Sequence, residues 1–325
     1  MRAVVCGTLG APEVLTLEEV ATPEPGEGEV LIAVAAAGIN FADTLMIRHE
    51  YQVKPPLPFT PGLEVAGHVE ALGAGVSGLS VGQRVLALPA WGGFAEKVVA
   101  PATSVFAVPE SMPFDIAAGF TITYGTALGA LEWHARLVPG ETLVVHGAAG
   151  GVGLAAVEVG KAMGAKVIAT AGGAEKLEIA KRHGADACID YRSEDLRTRM
   201  KELTDGRGAD VVFDPVGGDV FDASLRAIAW GGRILVIGFA GGRVQQIPAN
   251  HLLVKNVAAM GVHWGSYLQK APEMLRQQFE VLCGWHAEGK LNPRISDRLP
   301  LEAVAEALML LVERKASGKV VLDLS

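Results

Sequence analysis

From about residue 122 the sequence settles into an alternation of short apolar runs with helical patterns of ten to fifteen residues. No other feature constrains the fold as tightly. The runs are Thr142 to His146, Lys166 to Thr170, Ala187 to Asp190, Asp210 to Asp214, Arg233 to Ile237 and Val257 to Val262. Six strands with helices between them predict a parallel, doubly wound α/β sheet, with right-handed crossovers that put helices on both faces. The residues before this rhythm read differently. EVLIAVAAAGI, GHVEALG and GQRVLALPA are β-rich and are broken by PEPGEGE, KPPLPFTPG and WGG, which suggests a bent, antiparallel-rich domain. After Trp264 a helical pattern from Pro272 to Glu288 leads into a strand, a helix and a last strand that return to the first domain. The expected division is residues 1–121 with 266–325, and residues 122–265.

Bulk properties narrow the function. With half of 325 residues apolar, the chain can bury two cores and is not a disordered one. A net charge of −8 offers no general attraction to nucleic acid or to an anionic membrane. The three cysteines, Cys6, Cys188 and Cys283, include no CxxC pair, which argues against a disulfide framework and a four-cysteine zinc site and fits a reducing cytoplasm. The N-terminal stretch lacks a signal peptide pattern, and the most apolar window, Leu143 to Lys161, carries His146 and Glu158, so no membrane span is expected.

The motif that carries chemistry is TLVVHGAAGGVG at 142–153. Its glycine loop follows a strand and opens a helix, Val152 to Gly164, inside a βαβ unit, as a dinucleotide-binding (Rossmann) fingerprint requires. A tight strand-to-helix turn is the rival reading, and the six-strand context favours the phosphate cradle. In register, AAGGVG puts Ala148 at the first glycine position, Gly150 where the backbone approaches the pyrophosphate and Gly153 where helix meets strand. Ala149, Gly150, Gly151 and Val152 then line the cradle.

The nucleotide is chosen at the end of the next strand, where an acidic residue would bind a ribose 2′-hydroxyl. VIATAGGAEK has Gly172 and Gly173 there and no carboxylate, and Lys176 follows within reach of a 2′-phosphate, although a solvated surface lysine is the plainer reading of that residue alone. NADPH is therefore expected over NADH.

Together with GINFADTLMIRHEYQVKPPLPFTPGLEVAGHVEALG, TYGTALGAL, AKRHGADACIDYRSED, DVVFDPVGGDVF, GGRILVIGFAGG and LLVKNVAAMGVHWGSY, that loop makes nearly the whole chain resemble one family. It is similar to the zinc-less NADPH:quinone oxidoreductases of the medium-chain dehydrogenase/reductase superfamily, which include the zeta-crystallins. The resemblance implies a GroES-like catalytic domain built from both chain ends, a Rossmann domain, an active site in the cleft between them, and a homodimer formed through the edge strand of the Rossmann sheet. It also implies zinc-independent chemistry. Zinc-dependent relatives have a cysteine where this chain has Asn40 and a histidine where it has Leu63, and an amide and an isobutyl group cannot hold a catalytic zinc. His68 reads as a strand residue and the CGWH run at 283–286 as helix packing, so no metal site is expected.

By resemblance, Asn40, Asp43 and Tyr51 lie near the cleft. Asn40 either donates its amide to the acceptor oxygen or caps the following helix; Tyr51 either offers its hydroxyl or a stacking face, or anchors a loop; Asp43 orients its neighbours. Thr123 and Thr126 fit nicotinamide ribose or amide contacts, or helix capping. Tyr191 and Arg314 join Lys176 at the 2′-phosphate; Phe239 lies beneath the nicotinamide; Val262, His263 and Trp264 close its other side, with His263 as readily structural as catalytic. Asp214 and Gly217 belong to the adenosine side, or to a plain turn. Without a Lewis acid, hydride transfer suits acceptors that take hydride conjugately and leave charge on a hydrogen-bonded oxygen. The expected activity is NADPH-dependent reduction of quinones. The alternative is an ene-reductase of α,β-unsaturated carbonyls or acryloyl-type thioesters, and a third reading is an NADPH-binding structural or RNA-binding protein, which the acidic charge weighs against.

Overall fold

A computed structural model describes residues 1–325. In chain order the strands are β1 (Arg2–Cys6), β2 (Leu15–Glu19), β3 (Glu29–Ile39), β4 (Val65–Leu72), β5 (Arg84–Ala87), β6 (Lys97–Pro101), β7 (Val105–Ala107), β8 (Thr142–His146), β9 (Lys166–Ala171), β10 (Ala187–Asp190), β11 (Ala209–Asp214), β12 (Ile228–Val236), β13 (Ala258–Gly261), β14 (Ile295–Pro300) and β15 (Lys319–Asp323). The helices that matter below are α1 (Phe41–Met46), α2 (Phe114–Gly129), α3 (Gly151–Ala162), α4 (Ala174–Arg182), α5 (Leu196–Glu202), α6 (Asp219–Ala227) and α7 (Ala249–Lys255).

The chain divides into two compact units, the first of residues 1–122, 268–279 and 293–325 and the second of residues 123–267 and 280–292. In the first unit β14 and β15 join β3, β4, β5 and β7 in one sheet, with β6 also on β3. β3 pairs antiparallel with β4, β6 and β15, while β14 runs parallel to β15. Register shifts between β3 and β4 at Leu31/Ile32 and Val34/Ala36 bend the ribbon, which lets one long strand serve neighbours on two curving edges. Ile32, Ile39, Met46, Val65, Phe94 and Leu308 fill the core under that curve. The unit is a GroES-like, β-rich domain.

The second unit holds a six-stranded sheet in the order β10-β9-β8-β11-β12-β13, all parallel. Every residue of β8 is buried, as expected of a strand covered by helices on both faces. The order reverses between β8 and β11, the switch point beside which such sheets bind ligands at their carboxyl ends. Val144, Ile168, Ile189, Val212, Phe221 and Ile234 form one of its cores. Residues 280–292, which the sequence rhythm groups with the chain end, cluster with this unit. One reason is local: the Asn292 N–H donates to Glu158 Oε2 on α3 at 2.9 Å. No helix of the chain is long and apolar enough to cross a membrane.

Candidate active site

The first unit gathers four buried polar side chains where β3 runs into α1. Lys319, at the start of β15, donates from Nζ to Glu64 Oε1 at 2.5 Å, to Asn40 Oδ1 at 2.8 Å and to Ile39 O at 2.7 Å. Glu64 Oε1 also accepts from Asn40 Nδ2 at 2.9 Å, and Oε2 accepts from the Ile122 N–H at 2.8 Å. Both ends of the Asn40 amide are thus engaged within the unit. Asn40 is the N-cap residue of α1, in a capping box whose other half is Asp43, with Asp43 Oδ2 accepting from the Asn40 N–H at 2.8 Å. Its Oδ1 is buried with no hydrogen-bond partner. Burial pushes the Asp43 carboxyl up to about 7, against the pull of the Asn40 N–H and the Lys319 charge. Tyr51 packs on the same core, and burial first, then the Asp43 charge, raises its phenol above the ordinary value.

These residues do not suit zinc. Leu63 packs against the core, Asn40 offers only an amide oxygen, and the local cation is the Lys319 ammonium bound to that oxygen. No group of three or more His, Cys, Asp or Glu side chains lies close enough to hold a metal ion.

In the second unit the glycine loop connects β8 to α3. Gly147 makes the sharp turn at φ +58°, one residue upstream of the expected position, so Ala148 keeps an ordinary conformation and is buried. A Cβ on Gly153 would run into the Gly147 carbonyl, which is the close helix–strand approach the fingerprint needs. Gly150 is the N-cap residue of α3, with no side chain to cover the amides of Gly151 and Val152 at the helix start. That end suits an anionic phosphate, so the cradle fits a dinucleotide.

Two buried polar groups brace the cradle. His146 is wholly buried at the end of β8, with Nδ1 2.8 Å from Thr170 Oγ1 and Nε2 2.6 Å from Ser224 Oγ. Ser224 donates its hydroxyl to Val220 O, which assigns the imidazole proton to Nε2, and burial holds the ring below the usual histidine range and hence neutral. It ties β8, β9 and α6 together. Glu158 on α3 accepts from the Tyr124 hydroxyl at 2.7 Å and pairs with His183. This fixes α2, and with it the buried Thr123 and Thr126, against the cradle helix.

The residues expected to meet the ribose lie at and near the tips of β9 and β10. Asp190 Oδ1 accepts from the N–H groups of Gly173 at 3.1 Å and Arg192 at 3.0 Å, locking the two turns together. Gly172 leaves room for the Arg192 side chain: a Cβ there would stand 2.6 Å from Arg192 Nε. Lys176 rises from α4 and Tyr191 is exposed beside Arg192. Arg314 belongs to the first unit, just after the helix Val304–Val312.

At the next tips, Asp214 Oδ1 accepts from Val216 N–H and Gly217 N–H at 2.8 and 2.9 Å, an Asx turn that holds Gly217 at φ +73°. Phe239 is exposed beyond β12, and Val262 continues from β13 with its N–H on Val236 O at 3.1 Å. Trp264 is buried against α2, where the bare backbones of Gly125 and Gly129 receive its indole. His263 precedes it as the N-cap residue of a short 3-10 turn.

Glu64, Lys319, Arg192 and His146 are the residues that sequence reasoning missed. IDYRSED held a signal for Arg192, since it adjoins Tyr191 in a quoted motif. PGLEV and SGKVV held none for a pair 255 residues apart.

Comparison with known proteins meets this geometry. The family model described as alcohol dehydrogenase GroES-like domain matches residues 26–110, and the one described as zinc-binding dehydrogenase matches residues 151–280. The chain is 45% identical to quinone oxidoreductase-like protein 2 homolog of Nematostella vectensis, over 99% of this chain and 88% of that protein. Among solved structures it is similar to the quinone oxidoreductase of Pseudomonas syringae pv. Tomato DC3000, with a TM-score of 0.93 and 34% identity over 99% of each chain. It is also similar to the Escherichia coli quinone oxidoreductase complexed with NADPH, with a TM-score of 0.93 and 31% identity over 99% of this chain and 100% of that one. With these relatives, a glycine cradle on a six-stranded parallel sheet and an amide and a leucine in place of metal ligands, the chain belongs to the zinc-less quinone oxidoreductases of the medium-chain dehydrogenase/reductase superfamily.

Proposed function

We propose that the chain is an NADPH-dependent quinone oxidoreductase. The carrying observation is the tip of β9, where a glycine stands in place of a carboxylate and an arginine side chain lies over it. A carboxylate there would bind a 2′-hydroxyl and repel a 2′-phosphate, whereas Arg192 and Lys176 attract it. The quinone oxidoreductase names of the relatives, one of them solved with NADPH, support the same reading.

When bound, NADPH supplies a hydride from its nicotinamide ring. The chain's own residues do the rest. The N–H groups from Ala149 to Val152 hold the pyrophosphate, and Lys176, Tyr191 and Arg192 take the 2′-phosphate. Thr123 and Thr126 orient the nicotinamide, with Phe239, Val262 and His263 as its apolar and backbone surroundings. Tyr51 donates from Oη to the acceptor oxygen where charge develops, and the Asp43 carboxyl beside it retains a proton near neutral pH. Asn40 serves through its bonds to Glu64 and Lys319, which hold the start of α1 rigid. Quinones fit this chemistry, because they accept hydride without a metal to polarise them.

The test is anaerobic stopped-flow at 340 nm, with NADPH and either 9,10-phenanthrenequinone or an acryloyl thioester. Faster, saturable oxidation with the quinone is expected. Faster reaction with the thioester would replace quinone reduction by carbon–carbon double-bond reduction. Homodimerisation through β13 belongs to the same proposal: β13 has β12 as its sheet neighbour on one side, and Leu253 and Val254 on α7 are 77% and 71% exposed.

A further inference from the structure

The loop of residues 238–248 folds back over the tip of β11. The Ala240 N–H donates to Pro215 O at 3.1 Å and the Gly241 N–H to Val216 O at 2.8 Å. This brings Gln245 against Gly217, where a Cβ would stand 2.8 Å from Gln245 Oε1, 3.3 Å from Arg243 O and 3.4 Å from Phe239 Cδ1. Gln245 is only 8% exposed, and its Oε1 has no hydrogen-bond partner in the protein. The same is true of Asp214 Oδ2 on the strand below. Buried polar atoms are nearly always paired, and two unpaired ones at the end of one strand mark a place where something else binds.

The chemistry of the pair narrows what that is. A carboxylate oxygen and an amide oxygen accept hydrogen bonds and give none, so they turn away phosphate and carbonyl groups and select a donor. On a dinucleotide held by the neighbouring cradle, the donors of suitable size are the ribose hydroxyls. We propose that Gln245 is a cofactor-binding residue whose amide oxygen accepts a hydrogen bond from a ribose hydroxyl of the dinucleotide at the tip of β11. Gly217 is bare so that the ribose and the Gln245 amide can share the space above its backbone. This assignment rests on the reading that the chain binds a nicotinamide dinucleotide. It differs from the 2′-phosphate corner in one consequence: Gln245 recognises what NADPH and NADH have in common.

Calorimetric titration of the full chain with NADPH, NADH and the fragments 2′,5′-ADP and reduced nicotinamide mononucleotide tests it, alongside thermal unfolding of the cofactor-free protein. Gln245→Met keeps the length and removes the acceptor. Its Kd for both NADPH and NADH is expected to rise about tenfold, the loss of one hydrogen bond, with the ratio of the two unchanged. One fragment shares the loss and identifies the ribose. Because the substitution also removes a buried acceptor without a partner, the cofactor-free protein is expected to melt about 2–4 °C higher. Gln245→Ala gives the same loss of affinity, so the outcome does not depend on one variant folding. A packing residue would show the reverse, a lower melting temperature with Kd unchanged, and that result overturns the assignment. If the unaltered protein binds neither dinucleotide, the cofactor reading falls and takes Gln245 with it; if it binds both and the variants bind them equally well, only Gln245 falls.

Discussion

The polar corner of the first unit and the strand tips of the second handle buried polarity in opposite ways. In the corner, Lys319, Glu64 and Asn40 satisfy one another through contacts of 2.5–2.9 Å, and the one loose acceptor is Asp43 Oδ1. At the tips, glycines remove side chains at Gly147, Gly150, Gly151, Gly153, Gly172 and Gly217, and the acceptors Asp214 Oδ2 and Gln245 Oε1 stay unpaired. A closed network holds its own shape, whereas an open one is completed by a ligand. The first region should therefore reveal itself in stability, and the second in binding.

Four substitutions would break or sharpen that contrast. Lys319→Met leaves the Glu64 carboxylate buried without its cation, so stability in urea is expected to drop by about 3–5 kcal/mol, with most of it restored by Glu64→Gln in the same chain. If the double variant were no better than the single one, the pair would not act as a unit. Gly153→Ala drives a Cβ into the Gly147 carbonyl and should weaken dinucleotide binding by at least about a hundredfold, or about 2.7 kcal/mol, in calorimetry. Unchanged affinity would remove the cradle from the cofactor site.

Asp43 gives the pH signature of the closed region. Its carboxyl keeps a proton up to about 7 in the folded chain and releases it near 3.8 when unfolded, so between those values the native state binds the extra proton. Its contribution to stability is full below about pH 4 and is lost as pH rises through 7, at a slope of about 1.4 kcal/mol per pH unit. Asp43→Asn should abolish that slope; parallel stability curves for the two proteins would show that Asp43 does not titrate there. The smallest effect is confined to one cofactor. Arg192→Ala is expected to raise the Kd for NADPH about tenfold, or about 1.4 kcal/mol, and to leave NADH unchanged. An equal loss for both would move Arg192 away from the 2′-phosphate.

Much of the second unit was legible in advance because its signals are local. Strands β8 and β10 fall on the residues expected from their apolar runs, and the helix after the glycine loop begins within one residue of its expected start. The fingerprint register was less exact. Sequence placed the turning residue at Ala148, but the backbone turns at Gly147, since either glycine-loop register satisfies the same string of small residues. The burial of Trp264 on α2 depends on two glycines 135 or more positions away in sequence, which no local pattern shows.

By itself the sequence determined the parallel α/β unit, the glycine cradle and the missing strand-tip carboxylate, because each is a matter of residue type at a short spacing, and resemblance to a family added the loss of two metal ligands. Tertiary structure alone decided that Lys319 meets Glu64, that Arg192 covers Gly172 and that Gln245 presses an unpaired oxygen against Gly217. The physical reason is the same in all three. Whether a polar atom is paired, buried or left for a ligand depends on neighbours brought together by folding, and no local pattern in the chain specifies them.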